Sequence, residues 1–203
     1  MNGGGGAASA RQPFWTGIFG TPAPVEIEIG CGDGALLLAL AARDAERNFL
    51  GIEHSRTKAA RLALRVARRG ASHLRTLHAD AHCVVCRVVP DASVAAYHVY
   101  FPDPWPKRRH ASRRIFDPAF VAGLARTLLP GGRLWIATDV QSYAATIRSR
   151  VQAHGAFEEE PVGDDHPGLQ TSFARKYRAA GRPLYPAVFL RRHAWAALKI
   201  RST

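Results

Sequence analysis

The segment from residue 25 to residue 34 constrains the fold of this chain more than any other. A short strand pattern ends there in Gly30, Gly32 and Gly34, and a helical pattern begins at once with residues 35–43. Glycines in such a turn let the chain reverse tightly and let a ligand approach backbone atoms that a side chain would cover. Taken alone, the turn fits proteins that bind NAD, FAD or nothing at this position.

Short β-rich runs alternate with helical patterns along the rest of the chain, which is typical of a mainly parallel sheet. The predicted strands cover residues 25–30, 48–53, 72–78, 94–101, 133–138 and 186–191. The predicted helices cover residues 35–43, 56–69 and 140–153, with one more from Asp117-Pro118 to the Pro130-Gly131-Gly132 turn. We predict a single doubly wound α/β domain over residues 13–203, with helices on both faces, behind a flexible Gly- and Ala-rich tail at 1–12.

The patterns at residues 56–69 and 157–160 predict which side chains face solvent. In the amphipathic helix at 56–69 we place Ala60, Leu64 and Ala67 towards the core and the arginines towards solvent. We interpret the acidic run at 157–160 as surface only.

The charge balance points to a polyanionic partner. Lys and Arg number 28 against 16 Asp and Glu, a formal net charge of +12. Nucleic acid is the usual partner of so basic a domain, and a general effect on solubility is the alternative. No apolar run approaches the ~18 residues that a membrane span needs, and the N-terminus does not resemble a secretion signal. Cys31, Cys83 and Cys86 cannot all pair, which favours a reducing cytoplasm.

Acidic residues surround the glycine turn. Glu28 and Asp33 flank it, and this charge disfavours a pyrophosphate and favours the cationic methionyl end of S-adenosylmethionine. Glu53 ends the second predicted strand, near the ~20-residue offset at which an acid holds ribose hydroxyls. Asp80 follows the third strand, where a carboxylate can accept from an adenine amino group. The alternative for either Glu53 or Asp80 is a solvated strand end.

A proline-rich loop follows the fourth predicted strand. Pro102, Pro104 and Pro106 alternate with Asp103 and Trp105, which makes the loop rigid. A carboxylate beside an aromatic ring can hold a base by its edge and face, and cations that follow can hold phosphates. The cations of this run are Lys107, Arg108, Arg109, Arg113 and Arg114. Trp105 has two readings, as a platform for a base or as an anchor in the core.

The loop sequence FPDPWPKRRH, with VEIEIGCGDG and GIE before it and GGRLWIATD after it, resembles bacterial tRNA (guanine-N7-)-methyltransferases. The resemblance extends from about Trp15 to Arg191. It implies a Rossmann-like class I methyltransferase fold with a seven-stranded sheet, S-adenosylmethionine as cofactor and tRNA as partner. It also implies methyl transfer to guanine N7, giving 7-methylguanosine, in a cytoplasmic monomer or homodimer that needs no metal.

The resemblance also implies roles for individual residues. Asp103 takes the catalytic position, and it joins the acids and turn glycines as a cofactor contact: Glu28, Gly30, Gly32, Gly34, Glu53 and Asp80. The substrate contacts are Lys107, Arg108, Arg109, Asp139, Thr171, Ser172, Phe173 and Ala174. The family's usual Thr-Lys-Phe-Glu motif reads Thr-Ser-Phe-Ala here, so a carboxylate is missing at Ala174. Two alternatives therefore stay open: a methyltransferase of this fold with a different RNA or small substrate, and a catalytically weak RNA-binding protein.

Four potential metal ligands lie close together in the sequence: His78, His82, Cys83 and Cys86. Within so short a segment they form an awkward zinc site without a second ligand pair elsewhere. We expect no metal here and interpret the two cysteines as packing or surface thiols.

Overall fold

A computed structural model describes residues 12–105, 109 and 114–193. Within this part of the chain seven strands form one sheet: β1 (Val25–Ile29), β2 (Asn48–Glu53), β3 (Leu74–His78), β4 (Val94–Tyr100), β5 (Leu128–Thr138), β6 (Phe157–Glu160) and β7 (Tyr185–Arg191). The α-helices of the same part are α1 (Gln12–Phe19), α2 (Ala35–Arg43), α3 (Arg56–Arg69), α4 (Ala81–Cys83), α5 (Pro118–Thr127), α6 (Gln141–Ala153) and α7 (Ser172–Ala179). A π-helical turn (Val84–Val88) follows α4, and a 3₁₀ turn (Pro167–Gln170) precedes α7.

The strand order is β3-β2-β1-β4-β5-β7-β6. The first five strands in this order are parallel, and β7 pairs antiparallel with both β5 and β6. From β1 the chain builds outward to β2 and β3, and then returns to add β4 on the other side. This reversal opens a crevice at the carboxyl ends of β1 and β4, the place where open α/β sheets bind their ligands.

Helices cover both faces of the sheet. On one face α2 and α3 bury Leu37 and Leu62 against β2 and β3. On the other face α1, α5 and α6 bury Trp15, Phe120 and Ile147 in the larger core cluster. The doubly wound, mainly parallel fold predicted from the sequence is confirmed. Among the described helices, none combines the length and apolar character needed to cross a membrane.

The predicted inward face of α3 is wrong. Ala59 and Leu62 are buried, whereas Leu64 is 61% exposed, and Ala60 and Ala67 are also exposed. The helix carries two small apolar stripes, and its periodicity alone cannot choose between them. In the structure the stripe that contains Leu62 is the buried one. The Leu62 side chain lies so close to Gly34 that a Cβ on that glycine would meet Leu62 Cδ1 at 2.2 Å.

Two further predictions need correction. The helix expected to reach Pro130 ends at Thr127, and β5 begins at Leu128 and runs through the Pro-Gly-Gly sequence. Gly132 allows this, since a Cβ there would lie 2.9 Å from the Ala95 carbonyl oxygen of the neighbouring strand. Residues 157–160 are the edge strand β6 and not only surface.

Strand β6 is fixed by one apolar side chain and two ion pairs. Phe157 is buried. Glu159 accepts from Arg148 at 2.8 Å and Glu160 from Arg133 at 3.0 Å. Its acidic residues therefore compensate arginines of α6 and β5.

The packing of α3 leads to a paired prediction. Leu62→Ala removes a fully buried side chain and should lower the free energy of unfolding by about 2–5 kcal/mol. Leu64→Ala, on the exposed side of the same helix, should change it by no more than about 0.5 kcal/mol. Urea unfolding of both variants measures the difference, and equal losses would contradict the assigned face.

Candidate functional site

The glycine turn after β1 is built from left-handed backbone. Gly30, Gly32 and Gly34 have φ angles of +70°, +59° and +69°, a conformation that side chains with a Cβ rarely adopt. The amides of Gly30 and Cys31 both donate to the carbonyl of Ile52 on β2, at 2.8 and 3.3 Å. The turn therefore exposes bare backbone at the crevice while it is fastened to the neighbouring strand.

Glu53, at the end of β2, closes the same turn from the side. Its Oε2 accepts from the Gly32 amide at 2.8 Å, and its Oε1 accepts from the Ser55 amide at 2.7 Å. The side chain is buried. Each carboxylate oxygen can accept more than one hydrogen bond, so both keep capacity for a ligand hydroxyl.

Glu28 is the most perturbed acid of the site. It is buried in β1, and its Oε2 has no hydrogen-bond partner among the described residues. Burial, together with the nearby charges of Asp33 and Glu53, raises the pKa of Glu28 to about 8. A buried carboxyl group with an unpaired oxygen, close to two further acids, is an environment in which a ligand cation is stabilised.

Asp80 stands at the carboxyl end of β3. It is the N-terminal cap of α4, where its Oδ1 accepts from the Cys83 amide at 2.9 Å. The Ala79 amide donates to the Glu53 carbonyl at 3.2 Å, which ties this segment to the end of β2. The exposed Asp80 side chain and Glu53 therefore border the same edge of the sheet.

The loop after β4 has a strained backbone, and hydrogen bonds from Arg114 hold it in place. Phe101 and Trp105 adopt φ angles of +49° and +40°, which are uncommon for residues other than glycine. Arg114 donates to the carbonyls of Pro104 and Trp105 at 2.8 and 3.2 Å. The exposed Asp103 is thus presented at the crevice by a fixed backbone.

Arg114 was predicted to bind phosphate, and the structure shows that it supports the proline loop. Its guanidinium lies partly buried, 5.4 Å from the centre of the Tyr143 ring, while it clamps the proline loop. An arginine of a basic run can therefore support a loop, and the composition of the run cannot show which arginine does so.

Asp139 follows β5 on the far side of the crevice. Its side chain is 12% exposed and forms an ion pair with Arg182. The Arg182 guanidinium also lies over the Tyr177 ring, at 4.3 Å from the ring centre. The sequence interpretation included Asp139 and missed Arg182, although the Ala180-Gly181 pair after a helical pattern is a recognisable helix end.

The C-terminal run of predicted substrate contacts begins α7. Thr171 caps the helix: its hydroxyl accepts from the Ala174 amide at 3.0 Å and donates to the Gly168 carbonyl at 3.0 Å. Ser172 is exposed, and Phe173 is 53% exposed with its ring centre 5.9 Å from that of Phe101. Ala174 is fully buried, so its methyl group packs inside.

The structure thus brings the predicted residues together along one edge of the sheet, from Asp80 at β3 to Asp139 at β5. Lys107 and Arg108 lie outside the described residues, and Arg109 is exposed. The four potential metal ligands diverge: His82 pairs with Asp117 at 3.0 Å, and His78 bonds to the His54 carbonyl. No group of three or more His, Cys, Asp or Glu in the described ranges is arranged to hold a metal ion.

Comparison with known proteins places this geometry in a family. A family model described as a putative methyltransferase matches residues 22–187. The tRNA (guanine-N(7)-)-methyltransferase of Nitrosococcus oceani is 42% identical over 175 residues, covering 86% of this chain and 74% of that protein. The enzyme of the same name from Halorhodospira halophila is 37% identical over 178 residues, covering 85% and 77%.

Solved structures share the fold at low identity. The aminoglycoside resistance methyltransferase NpmB1 matches with a TM-score of 0.59 and 17% identity, over 89% of this chain and 93% of that one. A SAM-dependent methyltransferase from Aquifex aeolicus has a TM-score of 0.59 and 11% identity, over 83% and 82%. At 17% and 11% identity these structures are evidence for the fold alone.

The raised pKa of Glu28 predicts a pH dependence of stability. The folded protein keeps this proton up to about pH 8, whereas the unfolded chain loses it near its ordinary pKa of 4.5. Between these values the folded state binds more protons, so its stability falls as pH rises, by about 2 kcal/mol between pH 6 and pH 8. Glu28→Gln removes this contribution. Urea unfolding at both pH values should show a smaller loss for the variant; the same loss in both proteins would contradict the assignment.

Proposed function

The chain belongs to the family of tRNA (guanine-N7-)-methyltransferases, and on this premise we propose that it transfers a methyl group from S-adenosylmethionine to guanine N7 in tRNA, forming 7-methylguanosine. The observation that carries the proposal is the buried Glu28 carboxyl, whose Oε2 has no hydrogen-bond partner among the described residues, next to a left-handed glycine turn. A protein that only binds RNA has no need of such an acidic pocket.

The residues of the turn fit this cofactor. S-adenosylmethionine, when bound, supplies a methyl group activated by a positively charged sulfur. Asp33 and Glu53 provide the negative potential that suits its ammonium and sulfonium groups, and a bound cation would favour ionisation of the buried Glu28 carboxyl beside them. Glu53 also has free acceptor capacity for a ribose diol. Asp80, on the edge next to Glu53, is suited to an adenine amino group. The bare glycine backbone leaves room for the chain of the ligand to pass.

Guanine N7 needs little chemical activation. Its lone pair is free at neutral pH, so no strong base has to remove a proton. The protein can then accelerate the reaction mainly through positioning and electrostatics. The methylated base carries a positive charge, and the carboxylates of Asp103 and Asp139 on either side of the crevice suit that charge. Alternatively they accept from the N1–H and amino group of the base.

A basic surface beside the cofactor turn suits the RNA backbone. Helix α3, RTKAARLALRVARR, has no acidic residue. Arg65 donates to the Asp33 carbonyl and so lies next to the turn. Its other cations make no hydrogen bond or ion pair with any described residue: Arg56, Lys58, Arg61, Arg68 and Arg69. Together with Lys107, Arg108 and Arg109, they would hold phosphates and contribute affinity more than base choice.

A methyltransferase with another RNA or small substrate is the second candidate. It is favoured by the buried methyl group of Ala174, at the position where the family resemblance leads one to expect a carboxylate. Identification of the methylated nucleoside separates the two candidates. We place the reaction in the cytoplasm, in line with tRNA as substrate and with Cys31, Cys83 and Cys86 as free thiols.

The direct test is transfer of labelled methyl groups to unmodified tRNA, followed by nucleoside analysis. Wild-type protein should form 7-methylguanosine, and Asp103→Ala should reduce kcat about 10²–10³-fold, the usual effect of losing one electrostatic contact in a transition state. Asp91→Ala is the control, because Asp91 precedes β4 at the opposite end of the sheet and is 67% exposed. Methylation at another base position would contradict the proposal, and equal activity of both variants would exclude the role of Asp103.

The role of α3 has its own test. Arg61→Glu should raise KM for tRNA about threefold to tenfold and reduce the dependence of log KM on log salt concentration by about one unit, without changing cofactor affinity. Arg87→Glu makes the same charge change at an exposed site on the opposite face of the sheet. If both variants raise KM equally, overall charge and not α3 governs tRNA binding.

A further inference from the structure

The Arg182 guanidinium is held in two ways at once. Its edge pairs with the Asp139 carboxylate, and its face lies over the Tyr177 ring at 4.3 Å. Asp139 is largely shielded, with 12% of its side chain exposed, whereas Arg182 remains 48% exposed. The cation therefore covers a mostly buried carboxylate from the solvent side.

The end of α7 places Arg182 there. Gly181 adopts a φ of +66° and its amide donates to the Arg178 carbonyl at 3.0 Å, while the Arg182 amide donates to the Tyr177 carbonyl at 2.9 Å. This pair of bonds is the Schellman motif, which ends a helix and turns the chain back over its last turn. The backbone of Arg182 is thereby fixed next to Tyr177, while its side chain is 48% exposed to solvent.

Aromatic rings extend this surface towards the proline loop. The Tyr177 ring centre lies 5.4 Å from that of Phe101 and 6.2 Å from that of Phe173. Phe101 comes two residues before Asp103, and Phe173 is 53% exposed. A planar group on Tyr177 would therefore have Asp139 at its edge and the Asp103 loop close by.

A guanidinium and the edge of guanine have the same hydrogen-bonding chemistry. Arginine offers a planar N–C–N unit whose N–H groups point to a carboxylate in its plane. Guanine offers the same unit through N1–H and the amino group on C2, and its ring can stack on an aromatic side chain. Adenine, cytosine and uracil lack two adjacent donors in this arrangement.

The family resemblance already makes Asp139 a substrate contact. We propose that Tyr177 completes the seat of the target guanine beside Asp139, and that Arg182 occupies this seat until the base displaces it. The proposal rests on the proposed function, since it identifies how that reaction selects its base. Arg182 acts as a competitor for the seat. Its guanidinium donates to Asp139 Oδ2, and a base enters if it can replace this contact with its own planar pair of donors.

The alternative is a supporting ion pair, in which Arg182 keeps Asp139 and α7 in place. The two accounts predict opposite effects of removing the arginine side chain. A competitor, once removed, leaves the seat open, and guanine binds more tightly. A support, once removed, leaves Asp139 unpaired and α7 less ordered, and guanine binds more weakly.

Equilibrium dialysis with labelled guanosine distinguishes the competitor from the support. Guanosine has no phosphate, so the loss of a positive charge at Arg182 cannot change its affinity through a phosphate contact. Arg182→Ala should bind guanosine about threefold to tenfold more tightly than wild type, the range expected when a partly exposed ion pair no longer competes. Arg182→Lys, which keeps the charge and loses the planar group, should change affinity in the same direction. Adenosine should bind equally weakly to all three proteins.

Two controls complete the experiment. Arg178→Ala removes a neighbouring exposed arginine that bonds to the Leu169 carbonyl, and it should leave guanosine affinity as in wild type. In an Asp139→Asn background, Arg182→Ala should bring no gain. Unchanged or weaker guanosine binding by Arg182→Ala, or an equal gain for adenosine, overturns the proposal. Failure of the proposed function would appear separately, as wild-type protein that forms no 7-methylguanosine in tRNA.

Discussion

The carboxylate of Glu53 accepts from the Gly32 and Ser55 amides and so fastens the turn after β1 to the end of β2. The left-handed glycines of that turn have little intrinsic preference for one conformation, and these bonds select one. The same contact brings a second acid close to Glu28, and burial together with the charges of Glu53 and Asp33 raises the pKa of Glu28. The position of Glu53 therefore fixes the backbone of the turn and also contributes to the acidic potential on the cofactor side.

The Asp103 side of the site depends on hydrogen bonds that hold the proline loop. Arg114 holds the carbonyls of the proline loop, and the amide of Phe101 donates to the Ala137 carbonyl of β5 at 2.7 Å. These bonds keep two left-handed non-glycine residues in place and present Asp103 opposite Asp139. A crevice with fixed walls suits a displacement reaction in which the protein mainly orients two partners.

The sequence predicted the fold because its signals are local. Several strands end in glycine or an acid, and one helix begins at Asp117-Pro118, as is typical of an α/β sheet. The glycine turn after β1 indicates where the crevice lies. What failed depended on contacts across the chain. The buried face of α3 depends on how Leu62 packs against Gly34 and the core around it. Only the tertiary position of Arg114 shows that it supports a loop. The role of Arg182 could not be predicted from local signals, because Asp139 lies 43 residues earlier in the chain, at the end of the strand that neighbours β7.

Proton release on cofactor binding tests most directly whether the buried Glu28 carboxyl serves a cationic ligand. At pH 7 a carboxyl group with a pKa of about 8 is about nine-tenths protonated, and a bound cation should ionise it. Calorimetric titration with S-adenosylmethionine in buffers of different ionisation enthalpy counts the protons released. Wild-type protein should release close to one proton per cofactor bound, and Glu28→Gln should release about one fewer. Equal proton release by the two proteins would contradict this role of Glu28.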